Sequence, residues 1–540
     1  MSRCARYRAA LIEMKREILL ASISAVMLVL SFAPFYLGFL AWFAFVPLFF
    51  ALQRVSSIKQ AAFTGLTTGF VFFLGTVYWV VYSMYFYGGV PFIVGAVVTI
   101  GLSLYLALFT ALFSLALKTL SAFKSKVRLL ILAPLLWVAV EFLRSVLLTG
   151  APWVLLGYSQ TSYLPLIQLA DIGGVDLISF WLVLINSAIY LTVKAVRKKS
   201  HREAIACGAF AFFIFAVVFA YGHKRIIEVD ASVESWDSMT VAVAQGNIEQ
   251  KVKWAEGGKI ETVDTYIELS KEVAQGEVDL IIWPETAMPF YLYYDPPLGG
   301  LVTALAKELK TDFIVGAPHY EYKLFLKNPG EAGNAGENRR EYDIYNSAFL
   351  ITPEDGFADR YDKVHLVPFG EYVPLSKLLF FIDKLTAGIG DFSSGAGALP
   401  LKHKRGRIGM LICYEAIFPE LAAETTLNGA RFLVNLTNDG WFGRTSAPYQ
   451  HLDMSLMRAV ENRTYMVRAA NSGISAFIDP TGRITKRTAL FERTTLTDTV
   501  RLREGKLTVF TIGGRYFPFT CLVISVIVTA VVLVRNRKEY

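Results

Sequence analysis

Long apolar runs separated by short basic stretches fill the first 225 residues, and a different texture follows. A membrane-spanning helix needs about 20 largely apolar residues. Runs of that kind fall near 18–34, 37–53, 62–84, 90–116, 129–148, 167–193 and 204–222, with an eighth near 516–534. They predict a membrane α-helical bundle of eight transmembrane helices, the first two joined in a tight hairpin by Pro34 and Gly38. From about 226 to 510 the apolar runs shorten to strand length. Examples are TVAVAQGNI (240–248), DLIIWP (279–284), DFIVGAP (312–318), YNSAFLI (345–351), IGMLIC (408–413), FLVNLTN (432–438), ISAFIDP (474–480) and TLTDTV (495–500). Helical patterns at 260–274, 299–310 and 448–463 separate several of them. Strands apolar on both faces and alternating with helices predict a layered α/β domain. Residues 322–341 are polar and rich in Gly and Asn, the composition of a surface loop. The expected division is a seven-helix membrane region (1–225), an α/β domain (226–510), and a final helix with its tail (511–540).

Charge placement orients these elements. Arg3, Arg6, Arg8, Lys15 and Arg16, then Arg54 with Lys59, the basic residues from Lys118 to Arg128 and from Lys194 to Arg202, and the tail Arg535, Arg537 and Lys538 all fall on one side if the spans alternate. The loops around 35, 85–90 and 149–166 are poor in basic residues. Cytoplasmic loops carry the excess of Lys and Arg, so both termini are expected in the cytoplasm and 226–510 outside it. A hydrophobic share of 54% with 18% charged residues and a mean hydropathy of +0.44 fit a polytopic protein with a sizeable soluble part. The net charge of +8 is accounted for by those loops, which argues against a nucleic-acid partner. No cleavable leader is evident.

Candidate chemistry centres on IGMLICYEAIFPE (408–420), where Cys413 ends an apolar strand at a turn. The other cysteines, Cys4, Cys207 and Cys521, lie in or before apolar runs, so no disulfide framework is expected in the exported part. A thiol near a helix N-terminus or a cation has its thiolate favoured. Taken alone, such a cysteine is more often a small buried hydrophobe. Two further segments change that: LIIWPETAMP (280–289) brings Glu285 off a strand, and YDKVHLVPFGEYVP (361–374) supplies Lys363 and Glu371. A carboxylate able to take a thiol proton, a fixed cation and a thiol form a nucleophile–base–electrophile set. Within the apolar runs, Glu141 and Arg144 stand three apart on a helix, as a structural pair or a headgroup contact. Trp153, in the aromatic GAPWVLLGYSQTSYLPL (150–166), is a candidate lipid contact or a membrane-interface belt residue.

These three segments, in this order, resemble the nitrilase superfamily with its Glu-Lys-Cys triad. The longer HLVPFGEYVP and CYE forms, in a chain with membrane spans, resemble the apolipoprotein N-acyltransferase branch of that superfamily. The resemblance implies an α-β-β-α nitrilase-like sandwich and a catalytic triad of Glu285, Lys363 and Cys413. It implies supporting roles for Trp254 (in AQGNIEQKVKW), Glu371, Tyr414 and Glu415. Glu371 is expected to orient Lys363, Glu415 to pin a loop by an ion pair, and Trp254 to pack beside the acyl chain. NDGWFG (438–443), Gln450 and His451 match as well, with Trp441 and Phe442 expected as a mobile apolar lid and His365 as structural. The implied reaction transfers an acyl chain from a glycerophospholipid to the N-terminal diacylglyceryl-cysteine of an apolipoprotein, through a Cys413 thioester. The implied location is the bacterial inner membrane, with the catalytic domain on the periplasmic side and the protein a monomer.

Two other readings share parts of this pattern. A membrane-tethered nitrilase-type amidase would use the same triad with water as acceptor. A non-enzymatic lipid carrier would use the spans and leave Cys413 idle. No metal-ligand cluster, phosphate-cradling Gly loop or dinucleotide fingerprint appears in the sequence, so no cofactor or metal is expected.

Overall fold

Helix formation in the first third follows the apolar runs, with polar residues marking the ends. Ser57 illustrates this: its hydroxyl accepts from the Gln60 amide while the Gln60 side chain accepts from the Ser57 amide, both at 3.2 Å, a capping box that starts an apolar helix. In chain order the helices are α1 (Arg3–Leu30), α2 (Phe45–Arg54), α3 (Ile58–Val77), α4 (Trp79–Phe86), α5 (Phe92–Thr119), α6 (Lys126–Val146), the short α7 (Leu164–Ile167), α8 (Ala170–Arg197) and α9 (His201–Val233). The computed structural model describes residues 3–249, 253, 257–322, 342–372 and 392–538. Apart from Tyr322, the loop expected at 322–341 lies outside the described residues.

Among the described residues six helices are long and apolar enough to cross a membrane: α3, α5, α6, α8, α9 and the C-terminal helix. They coincide with six of the eight expected runs, and the other two fall on α1 and on the shorter apolar stretch Gly38–Arg54. α8 lies at the centre, with 72% of its apolar window buried, whereas α9 buries 6% and faces outward. The helix expected near 204–222 continues to Val233, past the expected boundary at 225.

The α/β part holds two sheets. Its strands are β1 (Ser238–Gln245), β2 (Leu280–Trp283), β3 (Asp312–Tyr322), β4 (Tyr342–Thr352), β5 (Gly356–Asp362), β6 (Arg407–Ile412), β7 (Ala430–Thr437), β8 (Met466–Ala470), β9 (Ala476–Ile478), β10 (Ile484–Arg487) and β11 (Thr494–Arg501). One sheet has the order β11-β1-β2-β3-β4-β5 and the other β10-β9-β8-β7-β6. Side chains alternate in direction along a strand. Val241, Val243, Ile282 and Ile314 of the first sheet therefore share a core with Ile408, Met410, Val434 and Val467 of the second. Their neighbours Ala242, Ile281, Trp283 and Phe313 point the other way, onto α10 (Gly258–Val273) and α11 (Pro296–Leu309). Each fully buried Leu, Ile or Val contributes about 1.5–3 kcal/mol.

The second sheet has a different outer neighbour. Leu411, Leu433 and Met466 pack on α12 (Pro419–Leu427) and α13 (Ala447–Asn462), and that helix layer shares one continuous core with Ile167, Ala170 and Val175 of the membrane region. The chain then passes through α14 (Val509–Ile512) into α15 (Phe517–Lys538). The sandwich is thus seated on the bundle through α12 and α13.

Glu141 and Arg144 of α6 prepare that seat. Both are buried, and each bonds the backbone of the segment that follows the helix. The Arg144 Nη1 donates to the Ala151 and Trp153 carbonyls at 2.8 and 2.6 Å. The Glu141 Oε1 accepts from the Leu156 amide at 2.7 Å. The pair thus shapes residues 151–156. Hydrogen bonds to charged groups are each worth about 1.5–3 kcal/mol. Arg144→Leu is expected to lower unfolding stability in detergent by about 3 kcal/mol or more, read as a fall in the thermal midpoint. An unchanged midpoint would show that the two carbonyls do not depend on Arg144.

Candidate active site

Three strand ends of two different sheets meet at one end of the sandwich. Glu285 follows the C-terminal end of β2, Lys363 follows β5, and Cys413 follows β6. Close packing of main chain makes the first turn: a Cβ on Gly316 of β3 would stand 2.3 Å from the Pro284 carbonyl oxygen and 2.9 Å from Glu285 Cα. Glycine at 316 is what lets β3 lie against the Glu285 turn.

Lys363 is 1% exposed, so its charge must be met inside the protein. Its Nζ lies 3.0 and 2.9 Å from the two oxygens of Glu371 and 3.9 Å from Glu285 Oε1. Asn346 of β4 ties the carboxylates together, its Nδ2 donating to Glu285 Oε1 and Glu371 Oε1, each at 2.9 Å. The Val367 amide donates to Glu371 Oε2 at 2.8 Å. Burial would lower the Lys363 ammonium, but Glu371 and then Glu285 outweigh it and hold it above its ordinary value. The firm ion pair is with Glu371, which leaves Glu285 the less committed carboxylate. Burial raises Glu285, with Lys363 opposing, and its carboxylate hydrogen-bonds the Cys413 side chain.

Cys413 is half-buried and adopts a left-handed φ of 53°. Burial and then Glu285 raise its thiol, outweighing Lys363 and a hydrogen bond with Thr437. Lys363 does act to lower the thiol, but the surroundings as a whole disfavour the thiolate, contrary to the expectation of a favoured one. The helical turn at Cys413–Ile417 is five residues long, so little helix dipole is available. These surroundings favour the thiol over the thiolate, with the Glu285 carboxylate alongside.

Glu415, expected to form an ion pair, is met by backbone donors. Its carboxylate accepts from the Ile412, Val364 and His365 amides at 2.6, 2.6 and 3.0 Å and from the Tyr361 hydroxyl. Burial pushes it up to about 7 against those donors. The clamp fixes the Cys413 turn to the residues just after Lys363. The Tyr414 hydroxyl donates to the Gly150 carbonyl at 3.2 Å, and its ring meets Phe418 edge-on. The His365 ring packs on Phe418 at 3.8 Å. Trp254 lies outside the described residues.

On the membrane side, Trp153 is buried. Its Nε1 donates to Gln450 Oε1 at 2.7 Å, and its ring packs near Trp79, Phe442 and His451 at 5.0, 6.0 and 5.8 Å. The segment bearing Trp441 and Phe442 rests on α4. The Ser83 hydroxyl donates to the Trp441 carbonyl at 2.8 Å, the Trp441 ring meets Tyr87 at 5.3 Å, and Gly443 touches the Tyr82 ring so closely that a Cβ would stand 2.2 Å away.

Residues 24–188 match the family of the apolipoprotein N-acyltransferase N-terminal domain, and residues 240–508 match the carbon-nitrogen hydrolase family. An apolipoprotein N-acyltransferase of Geobacter metallireducens is 41% identical over 97% of this chain and 97% of its own length. The enzymes of that name from Methylococcus capsulatus and Pasteurella multocida are 34% and 32% identical, over 91% and 92% of each chain. The chain belongs to the apolipoprotein N-acyltransferase family. The carbon-nitrogen hydrolase match covers the two-sheet region, and the N-terminal match covers much of the helical region beneath it. It is a bacterial membrane protein of the nitrilase superfamily.

Several buried polar residues of the site escaped the sequence reading. Asn346 stands in an apolar strand, a signal of a polar demand met inside. Asp439 belongs to NDGWFG, whose aromatics dominate the pattern. Arg468 of β8 is fully buried, its Nη2 donating to Asp439 Oδ2 at 2.7 Å. Lys253 is buried with its Nζ 3.4 Å from the Glu285 carbonyl oxygen, and burial lowers it to about 8. Burial would raise Asp439, but Arg468 and His451 pull it down to about 2, below the ordinary 3.8. Its contribution to stability is therefore complete above about pH 4 and is lost as pH falls towards 2, about 2 kcal/mol in all. Asp439→Asn is expected to flatten stability against pH in that window. A denaturant midpoint that keeps the wild-type acid slope would contradict this.

Proposed function

We propose that the protein is an apolipoprotein N-acyltransferase working by two acyl transfers through a Cys413 thioester. The observation that carries this reading is the meeting of Glu285, Lys363 and Cys413 beside a helix layer shared with the membrane core. In the first step Glu285 takes the thiol proton as Sγ attacks an ester carbonyl of a glycerophospholipid. Lys363 and the Tyr414 amide stabilise the oxyanion. The C–O bond breaks, Glu285 returns the proton to the leaving alkoxide, and lysophospholipid departs. In the second step the free α-amine of a diacylglyceryl-cysteine attacks the thioester. Glu285 takes the amine proton, the C–S bond breaks, and the thiol is restored. An α-amine titrates near about 8, so modest base assistance is enough.

The raised Glu285 and the raised thiol support general-base catalysis over a standing thiolate. Glu371 keeps Lys363 charged and in place; Glu415 keeps the Cys413 turn registered against the Lys363 loop. We assign Trp153 to the acyl-chain side of the cleft and Trp441 and Phe442 to an apolar cover on α4. Both substrates are held in a bilayer by about 0.8 kcal/mol per buried methylene, so catalysis has to occur at the membrane surface. We assign α1 and the Gly38–Arg54 stretch as the first two of eight spans. The protein then resides in the bacterial inner membrane as a monomer, with both termini cytoplasmic and residues 226–510 periplasmic.

Labelled phospholipid supplied in detergent is expected to leave an acyl group on Cys413 that hydroxylamine releases and that Cys413→Ala abolishes. A diacylglyceryl peptide with a free α-amine should then collect the chain as an amide. Discharge to water alone would instead indicate a hydrolase, and no labelled cysteine would refute the thioester. Lys363→Met is expected to slow labelling by about 10²–10³.

A further inference from the structure

The sequence brings a cysteine and a histidine to one site, and that pairing invites a Cys–His dyad. The geometry gives His451 a different task. Its Nε2 lies 3.1 Å from the backbone carbonyl oxygen of Cys413. A carbonyl only accepts, so Nε2 carries the hydrogen and donates it. On the other side of the ring, Nδ1 lies 3.0 Å from the Arg468 Nη2 and 3.0 Å from Asp439 Oδ1. Burial and Arg468 hold His451 below the ordinary imidazole range, against Asp439. Nδ1 is held between the Arg468 guanidinium and the Asp439 carboxylate. Both ring nitrogens are thus engaged, and the side chain is 1% exposed. Such an imidazole has neither a free lone pair nor a solvent path with which to take the Cys413 proton.

What His451 holds is the Cys413–Tyr414 peptide. A trans peptide is planar, with its C=O and N–H pointing in opposite directions. Gripping the carbonyl from the α13 side therefore sets where the Tyr414 N–H points. That control matters here because Cys413 sits at a φ of 53°, a region costly for a non-glycine residue unless its surroundings impose it. His451 is itself anchored on α13, and Arg468 is anchored by Asp439, by Ser455 at 2.9 Å and by Asn435. The Asn435 Nδ2 reaches the same Cys413 carbonyl at 3.5 Å, a weaker second contact.

We propose that His451 is a positioning residue that aims the Tyr414 N–H at the oxyanion by holding the Cys413 carbonyl. The inference rests on the acyl-transfer reading above. It separates two properties of the site that a damaged fold would lose together. Acylation passes through an oxyanion and needs the aimed N–H. Alkylation of the same sulfur by iodoacetamide is a direct displacement with no oxyanion to stabilise.

The test uses full-length protein in detergent with labelled phospholipid, and iodoacetamide in parallel. His451→Ala is expected to slow thioester formation at saturating lipid by about tenfold to a hundredfold, with KM changed less than about twofold and alkylation of Cys413 within about threefold of the unsubstituted rate. His451→Gln, whose amide N–H can occupy the Nε2 position, should recover acylation to within about fivefold. Alanine acylating at the original rate, alkylation falling in step with acylation, or glutamine recovering nothing would each overturn the proposal. The unsubstituted protein forming no thioester would count against the acyl-transfer reading itself.

Discussion

A buried ammonium ion is the constraint around which the site is built. Removing Lys363 from water costs several kcal/mol unless charge and hydrogen bonds replace the lost hydration. Glu371 supplies the charge at 2.9 Å, and it must in turn be held, by the Val367 amide and Asn346. Because Glu371 neutralises Lys363, Glu285 need not, and its carboxylate can serve Cys413. One ion pair thus decides which of two neighbouring carboxylates is committed to Lys363 and which is left facing Cys413. Glu415 adds a second fixed point, joining the Lys363 loop to the Cys413 turn across the two sheets.

The membrane enters this arrangement through packing. The helix layer that covers the outer sheet of an ordinary sandwich here also packs on α8 and its neighbours. At the start of α13, adjacent residues look opposite ways. Gln450 bonds Trp153 and the Thr76 carbonyl on the bundle side, while His451 bonds the Cys413 carbonyl. Trp153 is held in turn by Arg144 from within α6. The Cys413 turn is thereby tied through α13 to the helices of the membrane region.

Much of the fold is readable wherever burial is one-sided or complete. Each of the eight apolar runs read as strands contains a strand, because Ile, Val and Leu at strand length have few other uses. Among the described residues, the three strands outside those runs carry a different signature. β10 reads ITKR and is largely exposed, so no apolar run announces it. β8 reads MVRAA, and Arg468 interrupts the apolar pattern although it is fully buried. β5, with Asp359, Arg360 and Asp362, looks like a polar loop, and its pairing with β4 makes it a strand.

By itself the sequence determined the composition of the chain's environments: which runs are apolar enough for a membrane, which are strands, and that a carboxylate, a cation and a thiol follow strand ends. Local patterns report those features because each depends on a residue and its near neighbours. Tertiary structure alone decided which carboxylate pairs with Lys363, that burial leaves Cys413 a thiol, and that His451 faces a carbonyl instead of a sulfur. Those outcomes turn on distances of 3 to 4 Å between residues far apart in the chain, and on the loss of water around them. Charge in a dry interior is governed by what lies nearest in space, and adjacency in sequence does not encode that.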